Sequence, residues 1–143
     1  MNRTNPSAIK NFFPLPNIIF SLGLSAGEIA VYSYLMFVED RRTYQCWPSY
    51  KTIGSAIGMS ENTVRKYVGQ LEEKSFITTE PTSVITKTGM KRNGNLLYTI
   101  LPIQTAVEAY YEKQLRKAED ENEKRRIASI LKRRTHATAE ESA

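Results

Sequence analysis

The chain of 143 residues is poor in the side chains that most chemistry requires, with one cysteine, one histidine and one tryptophan. A lone Cys46 excludes an internal disulfide and fits a reducing cytoplasm, where a thiol serves as a small core residue. His136 stands in a polar tail, so neither a His/Cys metal cluster nor a Cys–His nucleophile pair can be assembled within the domain. No Gly-x-x-x-x-Gly-Lys-Ser/Thr phosphate loop occurs. Tyrosine is plentiful, but no histidine-hydrophobe-histidine metal triad accompanies it, which argues against a tyrosine nickase. No secretory signal and no run of ~18 apolar residues is present. These absences predict a cytoplasmic protein that is not an enzyme. They predict no catalytic residue, no metal, no cofactor, no membrane partner and no small-molecule ligand.

What is present supports one compact domain with an appendage. The chain is 41% apolar, enough for a core, and carries a formal charge of +5. A mild basic excess favours a polyanionic partner. That excess is concentrated before residue 102, where the net charge is +4, against +1 after it.

Residues 1–11 are polar and read as a flexible N-terminus. Phe12, Phe13, Leu15, Ile18, Ile19, Phe20 and Leu22 form an apolar leading segment, with a short helix expected from Pro16. Ser25-Ala-Gly-Glu28 has capping-box spacing and starts a helix that is apolar almost all round, from Ile29 to Val38. Such a helix calls for cover on more than one side. Residues 44–47 read as a short strand closed by Pro48.

From Ser49 the pattern is a helix–turn–helix. Ile53 and Ile57 lie four apart on one face of a short helix, and Gly58 stands where a helix C′ residue needs positive φ. Met59 plugs the turn. Ser60 is a good N-cap for a second helix that buries Val64, Tyr67, Val68 and Leu71 at i, i+3, i+4 and i+7 spacing. Directly opposite that stripe lie Asn62, Lys66 and Gly69, flanked by Thr63, Arg65 and Gln70. The outer face of such a second helix is the usual reader of the DNA major groove. Asn can pair bidentately with adenine, and Arg or Lys with guanine. Glycine in an exposed helix costs ~1 kcal/mol relative to alanine, and close approach of a DNA backbone would be a reason to keep Gly69. Ser49, Tyr50 and Lys51, at the start of the first motif helix, are candidates to hold a phosphate.

Strands are expected at 76–79 and 96–100. Between them the chain is rich in Thr, Gly and basic residues, with turns at Gly89 and Asn93-Gly94. A helix–turn–helix followed by a basic hairpin is a winged helix. Lys87, Lys91, Arg92 and Asn93 lie in the wing, poised to track phosphates or to enter the minor groove. From Gln104 one helix is expected to about Arg134. It has a first apolar stripe of Val107, Tyr110, Tyr111, Leu115 and Ala118, a charged middle, and a smaller stripe of Ile127, Ile130 and Leu131. The first stripe suits packing on its own domain, on another protein, or on a second copy in a homodimer. Residues 135–143 read as a disordered tail.

Phe-Phe-Pro-Leu-Pro-Asn at 12–17, Gly-Leu-Ser-Ala-Gly-Glu at 23–28 and Cys-Trp-Pro-Ser-Tyr-Lys-Thr-Ile-Gly at 46–54 together carry a resemblance. Over roughly Phe12 to Ile103 the chain resembles the helix–turn–helix domain proteins of Firmicute plasmids, prophages and conjugative elements, related to the N-terminal domain of plasmid replication initiators. The resemblance implies a DNA-binding fold in a family with both replication and transcription roles. Gly54 departs from the alanine of many such motifs, which predicts slightly looser packing.

The expected fold is α+β: a winged helix–turn–helix over 12–103, with a three-helix core and a β-hairpin wing, then a long C-terminal helix over 104–134. The expected function is sequence-specific binding of double-stranded DNA, regulating transcription or replication of a mobile element. The alternative is a winged-helix protein-interaction module of a replication or primosome complex.

Overall fold

The computed structural model describes residues 11–141, so the expectation for the N-terminus lies outside the described residues except at Asn11. The chain divides into two compact units, 1–107 and 108–143.

In the first unit, Pro16 leads into a 3₁₀ turn, Asn17–Ser21, which buries Ile19. Helix α1 is Ala26–Val38. Ser25 caps it, its hydroxyl oxygen accepting from the Glu28 amide, while the Glu28 carboxylate accepts from the Ser25 hydroxyl. The serine half of the expected capping box is therefore formed, while the Glu28 carboxylate turns to the Ser25 hydroxyl and to Lys74. Val31, Tyr32 and Leu35 of α1 are buried, but Phe37 is 62% exposed. Phe13 lies near Phe37, 5.8 Å between ring centroids, and the Phe37 side of the helix stays open to solvent.

Helix α2 is Tyr50–Ile57 and helix α3 is Glu61–Glu73. Each begins at a serine whose side chain accepts from the amide three residues on, Ser49 from Thr52 and Ser60 from Thr63. Gly58 ends α2 at φ 75, the left-handed conformation that only glycine adopts without strain. Gly54 packs against the turn between α2 and α3. Its carbonyl accepts from both the Gly58 and Met59 amides, and a Cβ at Gly54 would stand 2.3 Å from the Met59 carbonyl oxygen. The glycine is required by close backbone approach, so it tightens the turn where the sequence predicted looser packing.

Ile53, Val64, Val68 and Leu71 close the core of the motif against α1. Ile53 and Leu71 are 0% exposed, and burial of each is worth roughly 1.5–3 kcal/mol. Tyr67 is half-buried, because its ring lies over Gly27 of α1, where a Cβ would meet it at 2.2 Å. At the far end of α3, Lys74 Nζ donates to both Glu28 carboxylate oxygens, at 3.0 and 2.7 Å, and to the Gly23 carbonyl. This pair fastens the end of α3 to the start of α1.

Strands β1 (Gln45–Cys46), β2 (Ile77–Glu80) and β5 (Leu97–Ile100) form an antiparallel sheet in the order β1-β5-β2. Tyr98 and Ile100 of β5 and Ile77 of β2 face the core, and Phe76 packs edge-on to Tyr32. Cys46 is a buried core residue, and burial pushes its thiol up to about 11. Between β2 and β5 rises a separate hairpin, β3 (Ser83–Ile85) with β4 (Lys91–Asn93). This is the wing, and the unit is an α+β winged helix as expected. Gly89, at φ 80, makes the tip turn. Gly94, by contrast, is a packing position: a Cβ there would lie 2.5 Å from Thr82 Oγ1, and its amide donates to the Thr82 carbonyl.

Helix α4 is Ile103–Glu141, with Ala106 buried in the first unit. The expected end at 134 and the disordered tail at 135–143 give way to helix through Glu141. Ala and Glu are strong helix formers, which carries the helix past Thr135 and Thr138, whose hydroxyls donate to the Leu131 and Arg134 carbonyls within it. No described helix is long and apolar enough to cross a membrane.

Candidate nucleic-acid interface

The outer face of α3 carries Asn62, Arg65, Lys66 and Gly69, all exposed, while Val64, Val68 and Leu71 are buried behind them. This division follows from the sequence alone, since a helix with apolar positions at i, i+4 and i+7 must turn the remaining residues outward. Gly69 has no neighbour within 4 Å of a Cβ built upon it. Among the described residues, no packing demand explains a glycine at that point.

Two cations on this face are held by rings. The Arg65 guanidinium lies 5.4 Å from the centroid of Tyr50, the first residue of α2, and Lys66 Nζ lies 5.6 Å from the centroid of Tyr67. Such contacts leave the charges exposed while restricting where they reach. Ser60 and Thr63 are engaged with each other at 2.8 Å between hydroxyls, and Gln70 is half-buried beside the α3 C-terminus. Ser49 is likewise occupied, capping Thr52, and of Ser49, Tyr50 and Lys51 it is Lys51 that is exposed. Among these candidates the structure thus separates free donors, Asn62, Arg65, Lys66 and Lys51, from residues already holding the local backbone.

The wing is shaped by pairing. Lys91 sits opposite Ile85, and Arg92 opposite Val84. Cross-strand partners share a face and neighbours alternate, so Lys91 and Asn93 point to one side of the hairpin and Arg92 to the other. The basic residues of the wing therefore do not form one stripe. Lys87 lies in the tip turn, where the Thr86 carbonyl accepts from the Gly89 amide and Thr86 Oγ1 from the Met90 amide. Ile85 is 79% exposed and Met90 61%.

Sequence reasoning missed Asn95. Its side-chain amide donates to the Trp47 carbonyl at 3.2 Å, tying the wing base to the segment that enters α2. Pro48, Ser49, Tyr50, Gly94, Asn95, Leu96 and Tyr98 line a recess of ≈ 140 Å³ there. The partners are 48 residues apart, and no local pattern signals the link. Burial raises the Tyr98 phenol, with smaller contributions from Tyr50 and Cys46. Among the described residues, no group of three or more His, Cys, Asp or Glu is placed to hold a metal.

Residues 22–77 match the family model described as a helix-turn-helix domain. No curated protein matches the chain. Among solved structures the chain is similar to one described as a possible transcriptional regulator from Methanosarcina mazei Go1, at 16% identity and a TM-score of 0.49. That likeness covers 75% of this chain and 83% of the other.

Proposed function

We propose that the chain is a sequence-specific double-stranded DNA-binding protein that reads the major groove with α3 and touches the flanking backbone with the wing and the start of α2. The observation that carries this reading is the outer face of α3, where exposed Asn62, Arg65 and Lys66 surround a glycine that the protein itself leaves uncovered. Asn and Lys or Arg are the side chains that pair with adenine and guanine edges, and a bare Cα permits close approach. Lys51, Lys87, Lys91 and Arg92 supply exposed cations for phosphates on the same unit. The helix–turn–helix match over residues 22–77 supports the assignment. The setting, control of transcription or replication in a mobile genetic element, rests on the sequence resemblance described above.

The test is selection of a preferred duplex from random oligonucleotides, followed by Asn62→Ala and Lys66→Ala. Each should lose about 1–3 kcal/mol of discrimination for the selected site with circular dichroism unchanged. Unchanged affinity in both variants removes α3 as the reader.

A second copy of the chain is proposed as a partner, because Tyr111 and Leu115 of α4 are 59% and 61% exposed. Sedimentation of the chain beside Leu115→Glu decides it. The protein-interaction reading draws on the apolar wing tip at Ile85 and Met90, and a failed DNA selection would favour it.

A further inference from the structure

We infer that the C-terminal half of α4 is a second DNA-binding surface, directed at phosphates without regard to sequence. The inference rests on the DNA-binding reading above. Residues seven apart on an α-helix nearly superpose in projection, about 10.5 Å apart along the axis. Asn122, Ser129 and His136 therefore form the midline of one face. Arg125 and Lys132 flank it on one side, Arg126 and Arg133 on the other. All seven are exposed, and none of the four cations forms an ion pair among the described residues.

The run from Lys124 to Arg134 holds six cations and no acid. The acids of this region, Glu119, Asp120, Glu121 and Glu123, precede it, and Glu123 projects away from the basic face. Lys132, Arg133 and Arg134 have no acidic residue three or four positions away on either side, so no i,i+4 pairing can neutralise them. Four long cations around a midline of small or polar residues match a repeating array of phosphates, which attracts cations by releasing its own counterions.

The opposite face decides against an anionic lipid surface. Ile127, Ile130 and Leu131 are exposed there, but the apolar strip is only these three residues, and Glu123 and Arg134 project on the same side. An interfacial helix buries its apolar face, and charges within that face oppose burial.

The experiment uses the full chain and a variant with Arg125→Gln, Arg126→Gln, Lys132→Gln and Arg133→Gln. Glutamine keeps helix propensity while removing charge. Binding to a duplex lacking the selected site is followed by fluorescence anisotropy over a range of potassium chloride. The slope of log affinity against log salt should become shallower by about 2–4, at roughly 0.9 for each phosphate no longer neutralised. Affinity at ~0.1 M salt should fall at least about tenfold. Arg125→Lys, Arg126→Lys and Arg133→Lys together should restore both, which separates charge from helix stability. An unchanged slope in the Gln variant with retained helicity overturns the inference, as does failure of the Lys variant to bind. So does tighter binding of the unaltered chain to phosphatidylglycerol vesicles than to the duplex. Asn62→Ala, which removes no charge, provides the separate control. It should weaken preference for the selected duplex and leave this slope in place, so loss of sequence reading and loss of the α4 surface give different results.

Discussion

Replacing Gly69 by alanine separates folding from binding at a single atom. Gly69 lies within α3, nine residues into Glu61–Glu73, and is exposed. A Cβ built there meets nothing within 4 Å, and no left-handed backbone angle stands in its way. Alanine should therefore fit without strain, and helix propensity favours it by ~1 kcal/mol. For a domain of this size that gain corresponds to a rise in melting temperature of about 4–8 °C. If DNA approaches the bare Cα, the added methyl must displace either the helix or the duplex. A misfit of one methyl at a close-packed surface costs about 1–3 kcal/mol, or roughly 5- to 150-fold in affinity. Thermal denaturation by circular dichroism and anisotropy on the selected duplex, at one salt concentration, give the two quantities. The expected outcome is a protein that melts later and binds more weakly. An alanine variant that is more stable and binds equally well would refute the close approach. One that melts earlier would refute the open environment of Gly69.

Gly54→Ala should behave oppositely, losing at least about 1–3 kcal/mol in chemical denaturation, because its Cβ would stand 2.3 Å from the rigid Met59 carbonyl oxygen. Lys91→Ala with Arg92→Ala should weaken binding to all duplexes alike and flatten the salt slope by roughly 0.9 for each phosphate no longer neutralised. The two single variants should differ, one carrying most of the effect, since the two side chains leave opposite faces of the wing. The fold should lose stability in alkali. Burial raises the Cys46 thiol from 9.0 to about 11 and the Tyr32 phenol from 10.0 to about 12, with Glu39 adding to both shifts. In each case the unfolded chain releases its proton first, so the stabilisation is complete below pH 9, declines as pH rises, and is lost by about pH 12. Denaturant midpoints that stay constant from pH 8 to about 11 would contradict the burial of these groups.

Local chemistry determined the parts of this protein that depend on a few adjacent residues. Ser25, Ser49 and Ser60 each announce a helix start because a capping hydroxyl reaches an amide only three residues on. Gly58 announces a helix end because the left-handed angle is a property of one residue. The outward face of α3 follows from the spacing of Val64, Val68 and Leu71, so the candidate reading face is legible in the amino-acid sequence alone. What the sequence could not show depends on residues brought together from far along the chain. Gly54 looks like a mild packing flaw in the sequence, and only the Met59 carbonyl folded against it makes it necessary. Tyr67 belongs to the buried stripe by spacing, yet its ring is half-exposed over Gly27. Glu28 and Lys74, 46 residues apart, meet only when α1 and α3 pack. The wing reads as one basic hairpin, but strand pairing sends Lys91 and Arg92 to opposite sides, and β3 and β4 form a sheet separate from β1-β5-β2. Caps and stripes are properties of dihedral angles and helical period, which short stretches encode. Close approach, ring stacking and strand register are properties of chain closure, which only the tertiary structure decides.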